Sequence, residues 1–387
     1  IYMRFADNRN KIGKYIPAVV FLIFIYGMAL WFIFSPKPDY SSSEKRYLQK
    51  FPEVTAEKLL SGDFGSEFET FFADRFPQRN TWVGLNAYTA LAEGNNGASG
   101  VYNCKNGYLI NKPVSTENNL DKNIGAVADF AKSIDTPTTV MLVPSTGYIV
   151  DDVLPTFHDK YNDDEDISKI SSTLSKDKIG FVDLRERFKS EYKNGSQLYY
   201  KTDHHWTTKG AYTGYKELCK ALSITPIDDS TLKKDSYPDF YGTTYSSSGF
   251  WLTPPDNIEI WNNPKNSDRN ISVKITEGAN IKTSGSMYFT DHLKEDDKYP
   301  VFIDGNHALT EITNTNAKNG TILLIKDSFS HSLAPFLAEN YSKVVLVDLR
   351  YYKESVSDLV TTYNPEQVVV LYGIDNLATD TDIVWLK

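Results

Sequence analysis

Thr321-Ile322-Leu323-Leu324-Ile325-Lys326-Asp327-Ser328-Phe329-Ser330 reads as an apolar strand that runs into Asp-Ser and then, over residues 333–339, into a helical pattern. A short run that is apolar at consecutive positions, instead of alternating, suits a strand buried on both faces, as in a helix-covered parallel sheet. Upstream, Val140-Met141-Leu142-Val143-Pro144 follows a helical stretch at 126–134, and Ile179-Gly180-Phe181-Val182-Asp183-Leu184 follows another at 167–174. Downstream come apolar runs at 344–347 and 368–371, the second leading into Tyr372-Gly373-Ile374-Asp375-Asn376. Strands alternating with helices predict an α/β fold with a parallel sheet flanked by helices. Ser328 then stands at the carboxyl edge of a strand, just before a helix N-terminus. Such sheets place their sites there, and developing negative charge is favoured there.

The second informative stretch is Lys201-Thr202-Asp203-His204-His205-Trp206-Thr207-Thr208-Lys209-Gly210-Ala211, in which an aspartate and two histidines precede a helical pattern. A serine hydroxyl is a poor nucleophile until a base takes its proton, and that base must itself be oriented. Ser328, His205 and Asp203 supply these three roles. Each block alone has a plainer reading. Asp-Ser after a strand can cap a helix, and a His-His pair can be structural or ligate a metal. Zinc needs a further ligand, and His158, His292, His307 and His331 sit in no ligand-like spacing with the pair. No metal and no cofactor are therefore expected.

Counting from Ser328 and wrapping round the chain gives serine strand, middle strand, Gly-x-Asp-Asn strand, two more strands, then Asp-x-His. This resembles the block order of SGNH hydrolases, circularly permuted. The segments Asp203-His204-His205-Trp206, Phe76-Pro77-Gln78-Arg79, Gly107-Tyr108-Leu109 and Lys326-Asp327-Ser328-Phe329 resemble the bacterial family named for its Asp-His-His-Trp (DHHW) motif. That family is similar to the permuted SGNH-like domains of the alginate O-acetyltransferases, and the resemblance covers most of the chain beyond about residue 40. It implies that Ser328 carries an acetyl group, that His205 is general base and acid, and that Asp203 orients His205. It also implies an extracellular polysaccharide substrate and a multi-pass membrane acyltransferase as the partner that delivers acetyl groups.

Three departures qualify the likeness. Lys326 stands where the pattern has glycine. The Asp-to-His spacing is two, which favours His205 over His204 as base and leaves His204 a packing or hydrogen-bonding place beside the site. Tyr372-Gly373-Ile374-Asp375-Asn376 is an imperfect Gly-x-Asn-Asp, so that Asn376, a candidate oxyanion donor with the Ser328 N–H, could equally cap a helix. Arg350 and Tyr351, after the third apolar run, are candidates for contacting an acyl or sugar group, with an ordinary surface role as the alternative.

Residues 15–34, YIPAVVFLIFIYGMALWFIF, contain no charge, and about 20 helical residues match the ~30 Å hydrocarbon core of a bilayer. A buried core helix is usually shorter and carries a polar face. A signal peptide has an apolar region of about 7–15 residues and a small-residue cleavage site, whereas this run ends in Trp31-Phe32-Ile33-Phe34. Arg4, Arg9, Lys11 and Lys14 precede it against a lone Asp7, while Lys37, Lys45 and Arg46 follow it more sparsely. The expectation is a cell-membrane protein crossing once, with a cytoplasmic N-terminus and an extracytoplasmic C-terminal domain. Its parts are a stub at 1–14, the span at 15–34, a linker and helical juxtamembrane segment at 35–95, and the SGNH-like domain at 96–387. That domain holds a β-rich insertion at about 225–320, where Ser, Thr, Asn, Asp, Gly and Tyr predominate. Phe64, Phe68, Phe71 and Phe72 recur at helical spacing in the juxtamembrane segment and read as core packing.

Composition narrows the function. A net charge of −9 over 387 residues excludes a nucleic-acid binder of the basic kind, and 41% hydrophobic with 13% aromatic residues excludes global disorder. Two cysteines, Cys104 and Cys219, exclude a disulfide scaffold and leave open a single bridge or two separate thiols. The leading expectation is a membrane-anchored O-acetyltransferase acting on a cell-surface or exopolysaccharide. Its competitors are an acetylesterase of the same fold and a degenerate polysaccharide-binding scaffold. The scaffold would offer Tyr237, Phe240, Tyr241, Tyr245, Phe250 and Trp251 as stacking platforms.

Overall fold

The computed structural model describes residues 2–114, 119–383 and 386, with side chains from residue 13 onward. Two compact units divide the chain, Ile1–Tyr88 and Thr89–Lys387.

In the first unit, helix α1 (Tyr2–Phe34) contains the apolar run. Its segment Gly13–Phe34 has 22 residues, a mean hydropathy of 2.4 and no buried part, so by length and composition it can cross a membrane. A signal sequence meets the same description. The side chains of Arg4, Arg9 and Lys11, on which the expected orientation rests, lie outside the described residues. After α1 come α2 (Ala56–Ser61) and α3 (Asp63–Asp74). The linker is strapped down by charge. Arg46 donates from both Nη atoms to the buried Asp74, at 2.9 and 2.5 Å, and Arg75 reaches back to the carbonyls of Pro38 and Gln49. The α3 phenylalanines do not form a closed core: Phe68 and Phe72 remain 40% and 41% exposed.

The second unit is built on the strands β1 (Thr138–Val143), β2 (Gly180–Asp183), β3 (Lys233–Phe240), β4 (Asp256–Asn262), β5 (Ile271–Glu277), β6 (Asn280–Ser284), β7 (Leu309–Asn314), β8 (Asn319–Lys326), β9 (Tyr341–Val347) and β10 (Gln367–Gly373). Eight of them form one sheet in the order β6-β5-β7-β9-β8-β10-β1-β2. From β9 to β2 the pairing is parallel, whereas β7, β5 and β6 extend one edge antiparallel. Residues 225–320 thus contribute a separate β3–β4 ribbon together with strands of the main sheet. Numbered from β8, the parallel part reads 2-1-3-4-5, the order of a doubly wound sheet whose switch point lies between strands 1 and 3. Here those are β8 and β10. The α/β fold with circularly permuted strand order is therefore present.

The consecutive apolar residues explain why this sheet is central. Along β8, Ile322 and Leu324 face one core cluster while Leu323 and Ile325 face the other, as the period of two requires. The first cluster includes residues of α6 (Thr208–Ala221) and α8 (Ser330–Leu337), the second those of α4 (Asn119–Ser133), α5 (Asp163–Lys176), α9 (Val356–Tyr363) and α10 (Ile374–Thr379). Burying each of these four side chains contributes about 1.5–3 kcal/mol before the entropy cost is set against it. Cys104 and Cys219 are two free, buried thiols, each pushed up to about 12 by burial. Phe240 and Phe250 are fully buried, so they pack a core and offer no stacking platform.

Candidate active site

At its carboxyl end β8 gives way to Asp327-Ser328-Phe329 and then to α8. This turn is locked across the switch point. The Asp327 N–H continues the ladder to Leu371 O, and its carboxylate accepts from Phe329 N at 2.9 Å, Gly373 N at 2.8 Å and Asn376 Nδ2 at 2.7 Å. Burial raises the Asp327 carboxyl, and these donors oppose that rise. The approach of the two strand ends is so close that a Cβ on Gly373 would lie 2.5 Å from the Phe329 ring. Serine is thereby presented on a rigid corner, 7% exposed.

The histidine arrives from the loop before α6. Thr207 takes extended backbone angles and caps that helix through Oγ1, which accepts from Gly210 N at 3.1 Å. Below it, the buried Asp256 carboxylate collects Lys201 N, Thr202 N and Thr202 Oγ1, fixing the segment leading into the motif. Trp206 is fully buried, and its indole N–H donates to Phe329 O and Ser332 Oγ, both at 2.9 Å. That bond ties the Asp-His-His-Trp loop directly to the serine turn.

The result is a continuous relay. His205 Nε2 lies 2.7 Å from Ser328 Oγ, and His205 Nδ1 lies 2.5 Å from Asp203 Oδ1. An ionised carboxylate only accepts, so Nδ1 carries the proton and Nε2 of the neutral ring accepts from the serine hydroxyl. Burial alone would raise the Asp203 carboxyl. The neighbouring His205 and His204 imidazoles and the hydrogen bonds from His205 and Thr243 outweigh it, holding Asp203 well below the usual carboxylate range. Thr243 belongs to α7 (Thr243–Ser248) and donates to Asp203 Oδ2 from both its backbone N–H, at 2.7 Å, and its hydroxyl, at 3.1 Å. The preceding Gly242 has no room for a side chain, since its Cβ would sit 2.1 Å from that of Asp203. Tyr299 stacks on the His205 ring at 4.0 Å, nearly parallel, and donates to Ser328 O at 3.2 Å.

The other sequence candidates divide. His204 lies against His205 with ring centres 3.8 Å apart, shares a hydrogen bond with Thr243 Oγ1, and is pushed down to about 3 by burial and by its neighbour's charge. Asn376 directs Nδ2 to Asp327, which leaves one N–H of that amide uncommitted by this bond. The Ser328 N–H has no hydrogen-bond partner among the described residues. Arg350 is turned to Asp348, donating to both carboxylate oxygens at 2.8 and 2.6 Å, and Tyr351 is 51% exposed beside it. Among the described residues, neither side chain is hydrogen-bonded to Ser328, His205 or Asp203. Asp203, His204 and His205 have ligand atoms within 4.8 Å of one another, yet both ring nitrogens of His205 are already committed to the relay.

Beside His204 opens a cleft lined by Leu109, Ile110, Ser145, Phe329, Asp375 and Asn376, among others. Ser145 bridges two acids there. Its N–H donates to Asp163 at 2.7 Å and its hydroxyl to Asp375 at 3.1 Å, and burial raises the two carboxyls to about 7 and about 6 respectively. Sequence reading did not single out Thr243, Tyr299, Asp256 or Lys326 as a buried base. Of these, only Lys326 carried a signal, as the basic residue ending an apolar strand.

Solved structures share this architecture. A DHHW family protein from Eubacterium siraeum superposes with a TM-score of 0.62 at 18% identity, covering 74% of this chain and 95% of that one. Bacillus cereus PatB1, in a structure carrying a sulfonyl adduct, gives 0.60 at 19%, covering 74% and 97%. The O-acetyltransferase domain of Pseudomonas putida AlgJ gives 0.48 at 14%, covering 74% and 95%. No curated protein sequence matches the chain. The family profile described as DHHW protein matches residues 110–347, the stretch that holds both the Asp-His-His-Trp loop and the serine corner. On that match the chain belongs to the DHHW family.

Proposed function

We propose that this protein is a membrane-anchored, extracytoplasmic O-acetyltransferase that works through an acyl-enzyme on Ser328. The observation that supports it most is the single-file relay from Ser328 Oγ through His205 to Asp203, with 2.7 and 2.5 Å contacts, beside a cleft. Ser328 Oγ attacks the acetyl carbonyl while His205 Nε2 takes its proton, and Asp203 stabilises the imidazolium. The Ser328 N–H is the donor for the oxyanion, with the second Asn376 N–H as its partner. Collapse expels the donor's leaving group, which takes the proton from His205, and leaves acetyl-Ser328. A sugar hydroxyl then gives its proton to His205 and attacks the ester carbonyl; the bond to Ser328 Oγ breaks, His205 returns the proton to that oxygen, and the sugar carries the acetyl group. The acceptor is a cell-surface or exopolysaccharide, and the donor is a multi-pass membrane acyltransferase. With α1 as a single-pass anchor and the N-terminus cytoplasmic, the site works outside the membrane. If water takes the place of the sugar, the same residues make an acetylesterase.

The test uses the full chain in detergent with p-nitrophenyl acetate, a polysaccharide acceptor and a sulfonyl fluoride. Wild type should release p-nitrophenol, label stoichiometrically at Ser328 and give O-acetylated glycan. Ser328→Ala and His205→Ala should lose on the order of a thousandfold in turnover. Turnover within about threefold of wild type in either folded variant would remove the catalytic assignment. Release of acetate alone, whatever the glycan, would leave the esterase.

A further inference from the structure

The first unit presents an apolar face that water does not suit. On α3, Phe64, Phe68, Phe71 and Phe72 share one side, while Ser66, Glu69 and Thr70 fall on the other. Phe51 lies among them, with ring centres 6.5, 6.0 and 5.4 Å from Phe64, Phe68 and Phe71. The same set continues into α1. Phe32, in the last turns of its apolar run, lies 4.7 Å from Phe72 and 6.2 Å from Phe71. Around this ladder Leu60 is 90% exposed, Val54 65% and Leu59 56%, and α2 has no buried residue at all. Soluble monomers rarely leave so many large apolar side chains open in one patch. A helix with aromatic and leucine residues on one side and charges on the other is what the headgroup–acyl boundary selects.

We infer that α2 and α3 lie in the membrane interface, their Leu59, Leu60, Phe68 and Phe72 entering the leaflet into which the C-terminal end of α1 emerges. The inference rests on α1 being a span, and the ring contacts from Phe32 to Phe71 and Phe72 make the face continuous with it. The patch starts where the span ends, so lipid reaches it without any partner protein. A Lys58–Glu67 pair at 2.8 Å joins the two helices, so the platform is one piece and not two independent arms. Asp74 is tied to the linker, and Arg75 pairs with the Gln49 carbonyl while its guanidinium covers the Phe71 ring, 5.4 Å from the ring centre, a cation–aromatic contact that suits a headgroup boundary.

The full chain, reconstituted in phosphatidylcholine nanodiscs, tests this with single cysteines carrying nitrobenzoxadiazole at Leu60→Cys, Phe68→Cys, Ile25→Cys and Phe157→Cys. Cys104 and Cys219 are buried and stay unlabelled, which unlabelled wild type verifies. Ile25 reports the span, and Phe157, 82% exposed, reports water. We expect the labels at 60 and 68 to be quenched at least twofold by doxyl lipid and shielded from aqueous Co²⁺, like the label at 25 and unlike that at 157. Should 25 be lipid-quenched while 60 and 68 stay open to Co²⁺, the interfacial placement is wrong though the anchor stands. Should 25 itself stay open, the anchor reading fails with it. Shielding of 60 and 68 that appears only when a membrane acyltransferase is reconstituted alongside would make the face a protein-docking surface and overturn the lipid assignment.

Discussion

Two buried polar clusters meet at the end of β8, and only one of them joins a serine hydroxyl to an imidazole. Lys326 and Ser328 lie two residues apart. Lys326, 1% exposed, places Nζ 2.8 Å from Asp348 Oδ2 and 2.8 Å from His331 Nε2, and Arg350 closes the set by forking onto Asp348. Burial lowers the Lys326 amine and the His331 imidazole, while Arg350 and Lys326 hold Asp348 below its ordinary range in spite of burial. Its cations and its carboxylate are paired with one another. The Ser328 cluster is almost as deeply buried, yet its bonds run in one direction, from hydroxyl to imidazole to carboxylate, and end beside a cleft. Burial and shifted protonation mark both clusters. What separates them is a hydroxyl hydrogen-bonded to an imidazole, in a set whose Asp203 and neighbouring His204 line a cleft.

The contrast can be broken most severely on the reactive side. Asp203→Asn keeps the shape but removes the charge that fixes the His205 tautomer, so kcat with p-nitrophenyl acetate should fall about a thousandfold. A fall of less than tenfold in a folded variant would mean that the carboxylate is only a loop anchor. Next in size is the closed cluster. Lys326→Ala leaves Asp348 buried beside Arg350 alone, and breaking such a pair costs about 3–5 kcal/mol. Urea titration should show that loss while activity per folded molecule stays within about threefold. A collapse of activity with unchanged stability would instead move Lys326 into the reactive set.

Smaller effects refine the boundary. Trp206→Phe strips Phe329 O and Ser332 Oγ of their shared donor, leaving buried acceptors at a cost of about 1–3 kcal/mol. Because the indole holds the loop to the serine turn, kcat should drop about tenfold with KM little changed. The least effect concerns the acids bridged by Ser145. Asp163 is raised by burial to about 7, above the ~3.9 of an unfolded aspartate. A carboxyl with a raised folded pKa favours the fold while protonated, so its contribution is complete below about pH 4 and is lost as pH rises through 7. Asp163→Asn should therefore raise Tm by about 2–4 °C at pH 8, roughly 1 kcal/mol in a unit of this size, and leave it unchanged at pH 4. An increase of equal size at both pH values would show that ionisation is not the cause.

The legible parts of this molecule were those whose cause is local. Residues 140–143, 322–325 and 368–371 announce buried strands because both faces of each must be apolar. Ser328 and Asp203-x-His205 are visible because each role requires a residue type next to a strand end or a helix start. Thr243, Tyr299 and Asp348 were not visible. They act on Asp203, Ser328 and Lys326 across long loops, from segments whose own pattern reports no such partner. Phe64 to Phe72 misled in a different way: helical spacing shows that side chains share a face, not what that face meets. Alternating residues within 225–320 suggest strands, but whether such strands join the main sheet depends on register, which the alternation leaves open.

The permuted strand order also dictates when the molecule can become whole. β1 finds its inner neighbour only in β10, where Val368 pairs with Thr138 near the other end of the chain. As the polypeptide emerges from its N-terminus, β1 and β2 are complete long before the strand that covers their open edge has been made. Closure of such a distant parallel pair is slow, because the loop entropy is lost before the contacts form. The helices on either side of β1 must keep that edge from pairing with another chain until the last strand arrives. The serine corner cannot assemble earlier, since Asp327 reaches across to Gly373 and Asn376. A chain that has not yet reached β10 therefore holds both the histidine loop and the serine, but without the bonds from Gly373 and Asn376 that lock the turn between them.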